Sequence, residues 1–330
     1  MIKRAVTLAC AAAMLGGPLQ AETAPAEIPI EAAGPQGPLA GTMLRGSGGQ
    51  GPVAVIIPGS GPTDRDGNNP LGVRADSYRL LAQGLAGEGI TTVRIDKRGM
   101  FGSIGAVPDG NAVTIADYVA DTAAWVKSAR AATGASCIWL IGHSEGGLVA
   151  LAAAQKVEGL CGLVLIATAG RPMGDVIKSQ LRANSANAPL IEAADAAIDA
   201  LAAGRRVDVS ALPQPLVPLF DPAVQGFLIS AFALDPAGLA ARTKLPILIV
   251  QGGKDIQVSI ADAERLKAAN PEATLAILPG ANHVLKDVAG DSPSANLATY
   301  RDPGLPLAEG LVPAIAAFVR RQDILEQPAG

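Results

Sequence analysis

Histidine is almost missing from this chain: two occur in 330 residues, at positions 143 and 283. Cysteine is nearly as scarce, with Cys10, Cys137 and Cys161 far apart in sequence. So few nitrogen and sulfur ligands argue against a zinc site, and neither a metal nor an organic cofactor is expected. Aromatic residues make up 3% of the chain, too few to suggest a sugar-stacking surface. Charged residues make up 17%, the net charge is −4, and no basic patch offers a footprint for nucleic acid. The N-terminal apolar stretch from Ala5 to Gly17 is too short to remain as a membrane span.

Apolar runs next to glycines are abundant. Ile138-Trp139-Leu140-Ile141 reads as a strand that runs straight into Gly142-His143-Ser144-Glu145-Gly146, followed by an alanine-rich helical stretch from Gly147. A G-x-S-x-G placed between strand and helix is the signature of a nucleophile elbow. Its glycines permit a turn tight enough to hold Ser144 in strained backbone geometry. The helix N-terminus behind it favours negative charge. The alternative is a glycine-rich turn whose serine merely caps a helix.

Two further strands end in candidate partners. Leu245 to Gln251 is a continuous apolar run, as buried parallel strands are, and it leads to Gly252-Gly253-Lys254-Asp255. Ala273 to Leu278 is another, ending in Pro279-Gly280-Ala281-Asn282-His283. The chain order is therefore Ser144, Asp255, His283, with each residue just past the C-terminal end of a strand, where open α/β sheets carry their sites. His143 adjoins Ser144, so its ring is poorly placed to reach that hydroxyl; it reads as a packing or hydrogen-bonding residue. His283 is left as base, and Asp255 as the group that orients it. Asp255 read instead as a cap for the helix at 259–269 is the alternative.

On these residues the chain resembles the serine α/β-hydrolases, in particular a bacterial secreted or periplasmic esterase group. The stretch from Val53 to Asn68, with Pro58-Gly59-Ser60-Gly61-Pro62-Thr63-Asp64-Arg65-Asp66-Gly67-Asn68, resembles the oxyanion loop after the third strand, with Pro-Gly where many relatives read His-Gly. Asp96-Lys97-Arg98-Gly99 resembles the turn after the fourth strand, although the spacing that follows, Met100-Phe101-Gly102-Ser103, is altered. The resemblance implies an α/β-hydrolase fold: a mostly parallel eight-stranded sheet flanked by helices, with a helical lid inserted after the sixth strand. It implies an oxyanion hole from the backbone N–H groups of Ser60 and Glu145. Arg65 reads as an internal salt bridge in its turn, or else as a substrate or loop brace; the Glu145 side chain is expected to pair with Arg65 or Arg98.

The N-terminus has a basic start, Lys3-Arg4, an apolar core and the small-residue end Pro18-Leu19-Gln20-Ala21. It reads as a signal peptide over 1–21, with Cys10 too early for a lipoprotein signal, and so as a periplasmic or secreted protein. The sequence leaves open whether Cys137 and Cys161 form a disulfide or are two separate core residues.

The expected organisation is an α/β core over 22–170 and 244–330, with a lid over 171–243. Helices are expected over 75–87, over 115–131 behind the capping pair Thr114 and Asp117, over 259–269 and over 306–320. Within the lid, 173–204 reads as helical, 209–219 as proline-rich and 223–232 as a short helix. Leu216, Leu219, Phe220, Phe227 and Phe232 either line an acyl pocket or form the lid's own core. The function these features point to is hydrolysis of a small carboxylic ester through an acyl-enzyme. A peptidase or thioesterase with the same triad, or a non-catalytic binding protein on this scaffold, are the alternatives. Oligomeric state is not legible.

Overall fold

The computed structural model describes residues 26–326; the expected signal peptide at 1–21 and Cys10 lie outside the described residues. In chain order the strands are β1 (Glu27–Ala32), β2 (Leu39–Leu44), β3 (Val53–Ile57), β4 (Thr91–Ile95), β5 (Ile138–His143), β6 (Leu160–Ile166), β7 (Ile247–Gly252) and β8 (Thr274–Leu278). The helices are α1 (Ser77–Gly87), α2 (Ile115–Thr133), α3 (Glu145–Ala153), α4 (Met173–Ala183), α5 (Ile191–Ala202), α6 (Gln225–Phe232), α7 (Pro236–Arg242), α8 (Ile260–Ala269), α9 (Pro293–Ala298) and α10 (Leu311–Glu326).

The strands form one eight-stranded sheet in the order β1-β2-β4-β3-β5-β6-β7-β8. β1 and β2 pair antiparallel, as do β2 and β4; the pairs from β4 to β8 are parallel. The central strands are apolar throughout because both faces are covered. Val55, Leu140, Leu163 and Ile249 face one core with α2 and α3, while Ile56, Ile141, Val164 and Val250 face the other with α1 and α10. This is the α/β-hydrolase fold.

Several local expectations hold for identifiable reasons. Thr114 and Asp117 close a capping box at the start of α2, and Ser259 and Asp262 do the same for α8. Of the two possibilities the sequence leaves open for Cys137 and Cys161, at the entry to the adjacent strands β5 and β6, the structure shows the disulfide. The expected helix at 306–320 begins instead at Leu311: Gly310 takes φ 86°, which no helix interior accommodates, and the helix then runs on to Glu326. The continuous helix expected over 173–204 breaks after Ala183, where Asn184 turns extended and a 3₁₀ segment holding Pro189 intervenes before α5. Between β6 and β7 the chain leaves the sheet for α4 to α7.

Candidate active site

Ser144 sits between β5 and α3 with φ 54° and ψ −119°, a conformation rare for a side-chain-bearing residue. Its N–H donates to the Ile166 carbonyl on β6 across 2.8 Å, which pins the turn. The tight return depends on Gly146, where a Cβ would lie 2.2 Å from the Ile57 carbonyl oxygen. Side-chain-free positions are thus a steric requirement of the elbow, not a compositional accident.

β7 and β8 deliver the other two residues. The His283 Nδ1–H donates to Asp255 Oδ2 across 2.8 Å. Asp255 Oδ1 accepts from the Gln257 and Val258 amides at 2.8 and 3.0 Å. Burial alone would raise the Asp255 carboxyl, but the His283 charge and hydrogen bond and those two amides outweigh it and hold it below its ordinary value. A proton fixed on Nδ1 leaves His283 Nε2 a bare acceptor. His283 and Ser144 line the same cavity, of about 130 Å³. The loop carrying His283 is fixed by buried Asn282, whose side chain donates to Asn296 Oδ1 and Thr299 Oγ1 at 3.0 and 2.7 Å.

A second set of contacts ties the β3 loop to this one. The Gly59 N–H donates to the Tyr78 hydroxyl oxygen at 3.0 Å, and the Tyr78 hydroxyl is 2.7 Å from His143 Nδ1. His143 Nε2 is 2.9 Å from the His283 carbonyl oxygen. A carbonyl only accepts, so Nε2 carries the proton and Nδ1 accepts from Tyr78. This is the neutral imidazole: burial, then the neighbouring His283, press the His143 pKa down to about 3. On the other side of Gly59, its carbonyl oxygen accepts from Lys97 Nζ at 2.7 Å, and Lys97 Nζ lies 3.5 Å from Glu145 Oε1. Both side chains are buried. Neither the Ser60 nor the Glu145 N–H donates within the described residues.

A larger cavity, about 340 Å³, is also lined by Ser144. Leu148, Val176, Ile177, Leu219, Phe227 and Leu228 make it apolar. Its two charged lining residues are already paired, Glu145 with Lys97 and Arg171 with Asp262.

Residues 71–286 match the family described as serine aminopeptidase, S33. The chain belongs to this family. Among curated proteins, Esterase EstD of Thermotoga maritima is 28% identical over 227 residues, which cover 68% of this chain and 51% of that protein. The chain thus spans about half the length of this relative. Among solved structures, an esterase of Pyrococcus furiosus superposes with a TM-score of 0.57 at 16% identity, covering 97% of this chain and 100% of the other. Est1E of Butyrivibrio proteoclasticus gives 0.54 at 15%, with 90% and 99% covered. A thermophilic esterase of Thermogutta terrifontis gives 0.54 at 18%, with 90% and 99% covered. At these identities the structural likeness is one of fold.

Within this S33 chain the structure brings Ser144, Ser60 and His283 to one cavity, with Asp255 bonded to His283, and Ser144, Ser60 and Glu145 to the other, the three loops after β5, β7 and β8 meeting the loop after β3. Arg65 is an internal partner: it pairs with Asp96 at 2.5 Å and with Thr42 Oγ1 at 3.0 Å. The expected pairing of Glu145 with Arg65 or Arg98 is not found; Arg98 is taken by Asp117 and Asp121, and Lys97, after β4, reaches Glu145, after β5, across the single intervening strand β3. The five apolar residues of 216–232 divide: Leu219 and Phe227 line the large cavity, while Leu216, Phe220 and Phe232 are buried in the core. Sequence reasoning missed Tyr78, Lys97 and Gln257. Only Lys97 carried a signal, as a cation placed directly after a strand.

Among the described residues no group of acidic, histidine or cysteine side chains is arranged to hold a metal, and no helix is long and apolar enough to cross a membrane.

Proposed function

We propose that this chain is a serine hydrolase that cleaves carboxylic esters through an acyl-enzyme. The observation that carries the reading is a serine in strained geometry on the cavity wall it shares with a histidine whose other nitrogen is bonded to a buried carboxylate. The Ser144 oxygen attacks the ester carbonyl as His283 Nε2 takes its proton. The tetrahedral intermediate collapses, the bond to the alcohol oxygen breaks, and His283 returns the proton to the leaving alcohol. Water then attacks the acyl-serine with the same proton traffic and releases the acid.

The oxyanion is held by the N–H groups of Ser60 and Glu145. A well-placed donor of this kind lowers the barrier by about 3 kcal/mol. Lys97 is the positioning residue for both. The Gly59 carbonyl and the Ser60 N–H belong to one trans peptide and so point in opposite directions. An ammonium drawing the carbonyl inward therefore aims the N–H toward Ser144 and polarises it. The same ammonium neutralises the Glu145 carboxylate, which would otherwise repel an oxyanion formed beside its own backbone. The segment 171–243 serves as a cap over the apolar cavity.

The matched family is described as aminopeptidases, and a peptidase is the alternative reading. An aminopeptidase has to pair the free amino group of its substrate. The carboxylate that borders the large cavity, Glu145, is instead spent on Lys97, and this favours the ester reading. The esterases among the similar proteins support it too. Purified protein should hydrolyse p-nitrophenyl esters and leave aminoacyl p-nitroanilides untouched; the reverse preference would make it a peptidase. The signal-peptide pattern and the Cys137–Cys161 disulfide support export to an oxidising compartment, and fractionation of expressing cells tests that.

A further inference from the structure

Two cavities of unlike chemistry meet at Ser144, and Ser60 and Gln257 border both. On the ester reading above, the mechanism assigns them. The alcohol oxygen must receive its proton from His283 Nε2, so the alcohol lies on the His283 side, in the cavity of about 130 Å³. The acyl chain takes the apolar cavity of about 340 Å³.

The smaller cavity is polar but uncharged. Apart from the two histidines, no ionisable side chain of Lys, Arg, Asp or Glu lines it among the described residues. Tyr300 accepts from Gln257 Nε2 at 3.1 Å, and its own hydroxyl hydrogen is given to no described residue. Burial raises the Tyr300 pKa to about 12, so the phenol stays a donor. The Asn69 oxygen is used by the Leu71 and Val73 amides at 3.0 and 3.4 Å, which leaves its NH₂ group as a donor. Thr63 Oγ1 donates to the Ser60 carbonyl at 2.9 Å and can still accept. Donors and an acceptor thus ring a small space next to the base. An alkyl group placed there would leave them unpaired, which a polar site penalises strongly.

We infer that the substrate is an ester of an apolar acid with a compact, uncharged, hydroxyl-bearing alcohol, and that Tyr300 and Asn69 select it. The alcohol's spare hydroxyl replaces water on Tyr300 and Asn69. A cationic alcohol such as choline would lose its hydration with no carboxylate to receive it.

The test compares 2-hydroxyethyl hexanoate with propyl hexanoate, two esters of nearly equal shape that differ by hydroxyl against methyl. Wild-type kcat/KM should favour the hydroxyethyl ester by about tenfold or more, with choline hexanoate poorest. In Tyr300→Phe and in Asn69→Ala the hydroxyethyl-to-propyl ratio should fall toward one. Equal or better turnover of the propyl ester by the wild type overturns the inference. So does a ratio that survives both substitutions. If folded wild-type protein cleaves none of the three esters, the ester reading itself fails, an outcome distinct from a wrong preference among them.

Discussion

His143 donates its Nε2–H to the backbone carbonyl of His283 across 2.9 Å, so the residue before the elbow serine holds the loop that carries the other histidine. The same imidazole accepts from Tyr78, and Tyr78 accepts from Gly59. One neutral ring thereby spans the distance between the β3 loop and the His283 loop. The arrangement only works with the proton on Nε2 and none on Nδ1.

Acid should break it. His143 has an ordinary pKa of 6.5 and a folded value near 3. Between those values the unfolded chain binds a proton that the folded chain refuses, so stability falls as pH drops from about 6.5 toward 3. Asp255 acts lower: its folded pKa lies below 3.8, so its contribution is present above that value and fades as pH falls through the folded one. Urea unfolding from pH 7 to 4 should show His143→Gln losing less stability than the wild type, the two curves diverging by up to about 1.4 kcal/mol per pH unit. Parallel curves would mean that His143 does not refuse the proton.

Lys97→Met should lower kcat by about ten- to a hundredfold with KM little changed, since the ammonium acts on groups that meet the oxyanion and not the ground state. Affinity for a boronic acid that mimics the tetrahedral intermediate should fall in step with kcat/KM. Lys97→Arg, which keeps the charge, should recover part of both. A variant that loses thermal stability but keeps boronate affinity would reduce Lys97 to a packing residue.

The disulfide joins strand starts at the end of the sheet away from Ser144. Closing a loop of sequence separation 24 stabilises by about 3 kcal/mol on the chain-entropy account. Cys137→Ser with Cys161→Ser should lower Tm by several degrees and leave kcat/KM for a p-nitrophenyl ester unchanged. Differential scanning calorimetry beside an ester assay separates the two quantities.

Ser144→Ala and His283→Ala should each remove nearly all ester turnover, and the double variant should be no slower than either, because the two side chains act as one unit. Multiplying losses would mean separate roles.

Much of the fold was legible because the central strands are buried on both faces, so 138–141 and 245–251 read as unbroken apolar runs. The elbow was legible because Gly142 and Gly146 flank Ser144 at fixed spacing, and scarcity of histidine singled out His283. What was not legible depends on contacts far apart in sequence. Tyr78 lies 65 positions from His143, and its role exists only once α1 packs on the sheet and brings the phenol to Gly59 and His143. Lys97 meets Glu145 because only β3 lies between β4 and β5, an order that the chain alone does not declare. The Gly310 turn that delays α10 depends on its backbone conformation, which helical periodicity does not reveal.

Every step proposed for the site requires Ser144 to be an activated nucleophile. The most direct measurement is mass spectrometry of the folded protein after exposure to an alkyl fluorophosphonate. One adduct per chain is expected, on the peptide containing Ser144, lost in Ser144→Ala and formed far more slowly in His283→Ala. An intact, folded protein that takes up no phosphonate, or takes it up at another residue, would contradict it.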